Sequence, residues 1–309
     1  MNLRRALRNF LLCVLVLAAS AFLLVGGVWW YFHPPFQHLP GGIYAQRKGH
    51  DLQFEVWRPS HPNGLGAIVL VSGKWKSGGP GLKPFIIAPL LRRGYTVFAV
   101  GHGSQPEFTV MEIVEDVQRA VRSIRQRARE FGVDPGRLGV TGGSSGGHLC
   151  LMLATRGGPG QPGAADPVDR ESSAVQAVAC YYPPTDLLNL GTSTENPGNG
   201  GPPKSFVKAF GPNSTNLAIW RIIGRDMSPI YHVTSNLPPV LIVHGGADTL
   251  VPLDQSERFL QKARAAGVTV KLVVRPGKKH GWLTMLWDER LFADWFDQYL
   301  RGPRTEPRP

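Results

Sequence analysis

From residue 52 to residue 300, short apolar runs alternate with amphipathic stretches in a regular rhythm. Leu52–Trp57 alternates apolar and polar positions, the period of an edge strand. Ala67–Val71 is apolar throughout, as in a strand buried on both faces. Ile86–Arg93 has helical spacing and stops at Gly94, and a strand follows over Thr96–Val100. Apolar residues at Val110, Ile113, Val114, Val117, Val121 and Ile124 predict one face of a long helix over Val110–Glu130. Strands are then expected at Arg137–Thr141, Val175–Tyr181, Val240–His244 and Val268–Val274. Helices are expected after the first of these, at Gln255–Ala266 and at Arg290–Leu300. A Gly/Pro/Asn-rich insertion with a short helix near Phe206 occupies Pro183–Val233. Strands alternating with helices of this length predict a mostly parallel, doubly wound α/β sheet, with ligands bound at the carboxyl ends of the strands.

The pattern breaks at one such end. Gly142-Gly143-Ser144-Ser145-Gly146-Gly147 separates the strand Arg137–Thr141 from the helix beginning near Leu149. A serine with glycine two residues to either side, at a strand-to-helix turn, fits a nucleophile elbow. Side chains at the flanking positions would collide with strand or helix. Both Ser144 and Ser145 fit the frame. A strand ending near Thr141 puts Ser144 at the tip of the turn, leaving Ser145 to open the helix and offer its backbone N–H to an oxyanion.

An aspartate follows the later strand in Leu241–Asp248, and a histidine follows the next in Lys278-Lys279-His280. Histidine titrates near working pH, so it can take the proton of a serine hydroxyl. A buried carboxylate then fixes its tautomer and stabilises the imidazolium. Ser144, Asp248 and His280 are thus the candidate catalytic residues, each just past a strand. Asp186, also past a strand, is a rival acid, while His102, His148 and His244 read as structural or substrate-lining. No cluster has metal-ligand spacing and no phosphate-binding glycine loop is present, so neither metal nor cofactor is expected.

These residues resemble the acetyl-esterase and feruloyl-esterase-like branch of the α/β-hydrolases, relatives of prolyl-oligopeptidase catalytic domains. The resemblance spans about Leu52 to Leu300 and is most specific at Asp134–Leu149 and Leu241–Pro252. It implies a serine nucleophile at Ser144, with Asp248 and His280 completing the triad. It departs after Val71, where relatives carry His-Gly-Gly-Gly-Trp and this chain has Ser72-Gly73-Lys74-Trp75. Backbone donors do not depend on side-chain identity, so Gly73 and Lys74 are candidates, with Ser145, for the oxyanion hole. Lys74 would also suit an anionic substrate. The expected activity is hydrolysis of a small-molecule carboxylic ester through an acyl-enzyme. The rivals are a prolyl-oligopeptidase-type peptidase and an inactive, anchored binding module.

The amino-terminal segment changes the setting. Phe10–Phe32 is free of charge for 23 residues, with Arg4, Arg5 and Arg8 before it and Trp29-Trp30-Tyr31 near its end. That is long enough to span a bilayer, with basic residues on the cytoplasmic side and an aromatic belt at the far interface. Ala19-Ser20-Ala21 resembles a signal-peptidase site, leaving a cleaved signal and a secreted or periplasmic product as the alternative. The expected organisation is a cytoplasmic tip and span (1–33), a linker (34–50), an extracytoplasmic hydrolase domain (51–302) with a cap insertion (186–233), and a tail (303–309). The net charge of +12 comes from 34 scattered basic residues without a recognition motif, so no nucleic-acid partner is expected. Cys13 falls in the span, whereas Cys150 and Cys180 read as buried thiols, a bridge between them being the alternative.

Overall fold

The structure is a computed structural model that describes residues 3–78 and 81–302. The expected tail 303–309 lies outside the described residues. Helix α1 (Leu3–Phe32) precedes the strands β1 (Phe36–Arg47), β2 (His50–Pro59) and β3 (Gly66–Leu70). A two-stranded hairpin, β4 (Ser72–Gly73) and β5 (Lys76–Ser77), leads to α2 (Ala88–Arg92), β6 (Thr96–Val100) and α3 (Val110–Arg127). Then come β7 (Leu138–Gly143), α4 (Ser145–Arg156), β8 (Ala177–Tyr181) and α5 (Leu217–Asp226). The chain closes with β9 (Val240–Gly245), α6 (Asp254–Ala265), β10 (Val270–Arg275) and α7 (Met285–Leu300).

Eight strands form one sheet in the order β1-β2-β6-β3-β7-β8-β9-β10. The contacts of β1 with β2 and of β2 with β6 are antiparallel, and the remaining pairs are parallel. Strand β3 shows why the core has two halves. Its side chains alternate, Ile68 and Leu70 packing into a cluster with α3, α4 and α6, and Ala67 and Val69 into one with α2 and α7. The entry to α3 is fixed by a capping box, in which Thr109 accepts from the Glu112 amide and the Glu112 carboxylate accepts from the Thr109 amide.

Two segments differ from the sequence expectation. Residues 34–50 are not a linker, because Phe36–Arg47 forms the edge strand β1. Pro40 and Gly41-Gly42 made this stretch look like loop, yet on an edge strand a missing N–H is tolerated and the register simply shifts there. Gly41 lies so close to Phe54 that a Cβ would meet its carbonyl oxygen at 2.1 Å. The insertion holds more helix than its composition suggested. The short helix expected near Phe206 is a 3₁₀ turn over Lys204–Phe210, and α5 follows it, capped by the Asn216 side chain.

That insertion is tied to the main body through a line of aromatic rings. Trp220 of α5 is fully buried and meets Phe210 at 5.1 Å between ring centroids; Phe210 meets Trp75, in the β4–β5 turn, at 5.5 Å. The Trp220 indole N–H has no hydrogen-bond partner among the described residues. Trp220→Ala is therefore expected to lose about 3–5 kcal/mol of stability in urea denaturation. Trp220→Phe keeps the ring contact and removes an unpaired donor, so it should lose less than half as much.

Candidate active site

Ser144 sits between β7 and α4 with φ 55° and ψ −120°, a conformation that L residues rarely adopt. Its neighbours enforce this. A Cβ on Gly142 would lie 2.8 Å from the Gly146 backbone, and one on Gly146 would lie 2.7 Å from the Leu70 carbonyl oxygen. These are the glycines that flank Ser144 in the Gly-x-Ser-x-Gly frame. The Ser144 amide donates to the Tyr181 carbonyl at 3.1 Å, which pins the turn to β8. Ser145, the rival in the frame, is the first residue of α4, buried, with its hydroxyl 3.1 Å from the Ser72 hydroxyl.

The side chains of Ser144, His280 and Asp248 meet at the carboxyl edge of the sheet. The Ser144 hydroxyl is 2.9 Å from His280 Nε2, and His280 Nδ1 is 2.7 Å from Asp248 Oδ2. The other Asp248 oxygen accepts from the amides of Leu250 and Val251, both at 3.0 Å. Burial alone pushes the Asp248 carboxyl up. Hydrogen bonds from His244, His280 and the Val251 amide outweigh it and hold the group well below the ordinary carboxylate range. Asp248 is therefore ionised wherever an imidazolium at His280 would need a counter-charge. Asp186, the rival acid, is engaged elsewhere: its carboxylate pairs with Arg258 at 2.6 Å and accepts from Tyr231 at 3.1 Å.

The remaining histidines fall into place around this line. His244 is buried behind Asp248, 3.5 Å from its Oδ2, with its ring held between the Ser256 hydroxyl and the Val251 carbonyl. His148 is fully buried on α4. It accepts from the Trp75 indole N–H at 3.2 Å and donates to the Met227 carbonyl at 2.8 Å, and burial lowers it to about 4, so it is neutral. His102 lies farther off, lining a separate pocket with Asp51 and Glu55, and burial lowers it to about 4.

Tyr182 and Glu289 carried no signal in the sequence and gain their place only through the fold. Tyr182, itself at positive φ, packs its ring on His280 with centroids 4.4 Å apart. Glu289, on α7, is buried, and burial pushes its carboxyl up to about 8 despite the adjacent Tyr181 hydroxyl. Its spacing on a helix with Asp288 suggests only a solvated face.

The loop that departs from the His-Gly-Gly-Gly-Trp pattern is the β4–β5 turn. Lys74 and Trp75, its two central residues, have φ 56° and 54°, the twist of a tight hairpin turn. Neither is glycine, so the turn is strained, and the contacts of Trp75 with His148, Phe206 and Phe210 hold it. The turn divides two spaces that meet at Ser144. On one side lies a cavity of about 470 Å³ lined by Leu82, Ile86, Ile87, Tyr182, Met285 and Glu289. On the other is a smaller one of about 50 Å³ lined by Trp75, Leu187, Leu190, Phe206 and Val251, the insertion contributing most of its wall. Lys74 borders both. Cys150 and Cys180 are free and fully buried, so the alternative of a bridge between them is not realised. Among the described residues, no group of three His, Cys, Asp or Glu side chains could hold a metal ion.

Such a site, with a hydroxyl, an imidazole and an ionised carboxylate in line below a helix amino terminus, can support nucleophilic attack on a carbonyl. Known proteins resemble much of the chain. The BD-FAE family model matches residues 60–263, more than half of the chain. Esterase LipQ of Mycobacterium tuberculosis is 29% identical over 238 residues, covering 75% of this chain and 54% of its own length. The chain spans about half the length of the first curated relatives it matches. Among solved structures, an acetyl ester-xyloside bifunctional hydrolase from Caldicellulosiruptor lactoaceticus superposes with a TM-score of 0.67 at 22% identity, covering 86% of this chain and 94% of that one. Esterase 2 of Thermogutta terrifontis gives 0.65 at 24% identity, over 89% and 95%. The chain belongs to the BD-FAE family, in the acetyl- and feruloyl-esterase-like branch of the α/β-hydrolases.

Proposed function

We propose that the protein is a membrane-anchored serine hydrolase that cleaves a carboxylic ester. The observation that carries this reading is the continuous line from the Ser144 hydroxyl through His280 to Asp248, at 2.9 and 2.7 Å. Ser144 Oγ attacks the acyl carbon as His280 Nε2 takes its proton, and Asp248 stabilises the imidazolium. The amides of Ser145 and of Gly73 or Lys74 receive the oxyanion. On collapse His280 returns the proton to the departing alcohol. Water, activated by the same imidazole, then releases the acid. That curated relatives are named as an esterase and a probable carboxylic ester hydrolase supports an ester over a peptide as the substrate. The anchor is α1, whose most apolar 18-residue window has a mean hydropathy of 2.7 and is unburied, with the hydrolase domain outside the cytoplasm. The insertion caps the smaller space, so the substituent on that side of the ester is short.

A fluorophosphonate probe, which reacts only with an activated serine, should label the wild-type protein and leave Ser144→Ala unlabelled. Asp248→Asn should lower kcat/KM for p-nitrophenyl acetate by about 10³–10⁴-fold, because the imidazole loses its tautomer and its counter-charge. Full labelling of Ser144→Ala, or faster cleavage of an aminoacyl amide than of the acetate, would overturn the reading.

Glu289 provides a pH signature that is independent of turnover. In the unfolded chain it ionises near 4.5, but in the fold it keeps its proton to about 8. Across that window the folded state binds more protons, so its stability falls as pH rises and levels off above it. Glu289→Gln removes this ionisation. Its melting temperature should match wild type at the acid end and exceed it by at least about 2 °C at the alkaline end, a gain of about 1 kcal/mol in a domain of this size.

A further inference from the structure

The larger cavity and the outer end of α1 share the same two supports. One support is the segment before α2, where Leu82, Ile86 and Ile87 line the cavity; five residues after Ile87, Arg92 holds the end of α1. Its guanidinium lies 3.6 Å from the centre of the Trp30 ring, and its Nε donates to the Tyr31 carbonyl at 3.1 Å. The second support is the start of α7. Met285 and Glu289 line the cavity there, and between them Trp287 stacks on Tyr31 at 5.8 Å and meets Phe32 edge-on at 4.9 Å. The aromatic end of α1 is where a spanning helix crosses the headgroup layer, so these contacts set the cavity rim against that layer.

The rim has the composition that such a position calls for. Leu283 is 91% exposed and Phe85 39%, each within two residues of a cavity-lining side chain. Trp287 is 37% exposed, with the Arg290 guanidinium over its ring. Lys83 is exposed on the same turn as Phe85. Bulky apolar tips interspersed with cations suit the boundary between acyl chains and anionic headgroups. The apolar tips ring a cavity about 470 Å³ in volume, so an apolar ligand leaving the acyl layer at the rim would enter it directly.

From this geometry we propose that the rim formed by Phe85, Leu283 and Trp287 dips into the outer leaflet, and that the larger cavity takes esters directly from the bilayer. The substrate class is an amphipathic ester with one long apolar substituent, presented by the membrane instead of by water. This rests on the reading of α1 as a membrane span and of Ser144 as the nucleophile. Phe85 and Leu283 do not line the cavity, so charge placed on them changes delivery and leaves the chemistry alone.

The test uses the full chain reconstituted in vesicles of phosphatidylcholine with a minority of phosphatidylglycerol. Two esters are compared, 4-methylumbelliferyl oleate dissolved in the bilayer and p-nitrophenyl acetate in the water. Phe85→Glu and Leu283→Glu should each hydrolyse the acetate at the wild-type rate and the oleate about tenfold more slowly, the loss expected when one apolar side chain no longer buries. Oleate hydrolysis at the wild-type rate in both variants would overturn the proposal, as would equal losses on both esters. Failure of the underlying readings shows differently: carbonate extraction would release the wild-type protein from the vesicles, or wild type would hydrolyse neither ester.

Discussion

The hydroxyl of Ser144 faces His280 because the backbone beneath it is held at φ 55°, and close packing of backbone against backbone holds it there. Such a conformation stores about 1–3 kcal/mol in a residue other than glycine and survives only where its surroundings dictate it. The surroundings here are Gly142 against Gly146 and Gly146 against the Leu70 carbonyl, with the Ser144 amide bonded to Tyr181. Strands β3, β7 and β8 therefore meet at one turn. The buried sheet supplies a rigid platform, and the turn converts that rigidity into the aim of one side chain.

Around this point most of the polar groups are already engaged. Asp248 stays charged, His148 stays neutral and the His244 ring, next to Asp248, is held by the Ser256 hydroxyl and the Val251 carbonyl. That leaves His280, exposed on one edge to the cavity and packed on the other by Tyr182, as the base in the mechanism we propose. The same economy explains the unusual β4–β5 turn. Glycines in that position would let the loop adopt its left-handed residues freely. Here Lys74 and Trp75 adopt them under strain, and the indole, anchored to His148 and to the rings of the insertion, keeps the turn in place. The backbone of the loop is thus coupled to the packing of the insertion through Trp75.

Some of this was legible in the sequence because it depends on local chemistry. Glycines at fixed offsets from Ser144, and strand-ending runs before Asp248 and His280, follow from what a strand-to-helix turn and a parallel sheet require. The edge strand β1 was hidden because Pro40 and Gly41-Gly42 look the same in a loop and in a bulged edge strand, and only the pairing with β2 distinguishes them. Helix α5 was masked by the Gly/Pro/Asn content around it. Tyr182 and Glu289 were invisible for a different reason. Neither belongs to a motif, and each acquires its setting from residues distant in sequence, His280 for one and the buried wall of the large cavity for the other.

The central claim is that Ser144 carries the acyl group during turnover. Acid-quenching the enzyme within the first turnover on p-nitrophenyl acetate, followed by peptide mapping by mass spectrometry, reads this directly. The account predicts one acetyl group on the peptide containing residues 142–147, located by fragmentation on Ser144. Acetyl found on Ser145, or ester hydrolysed with no acyl group trapped on this peptide, would contradict it.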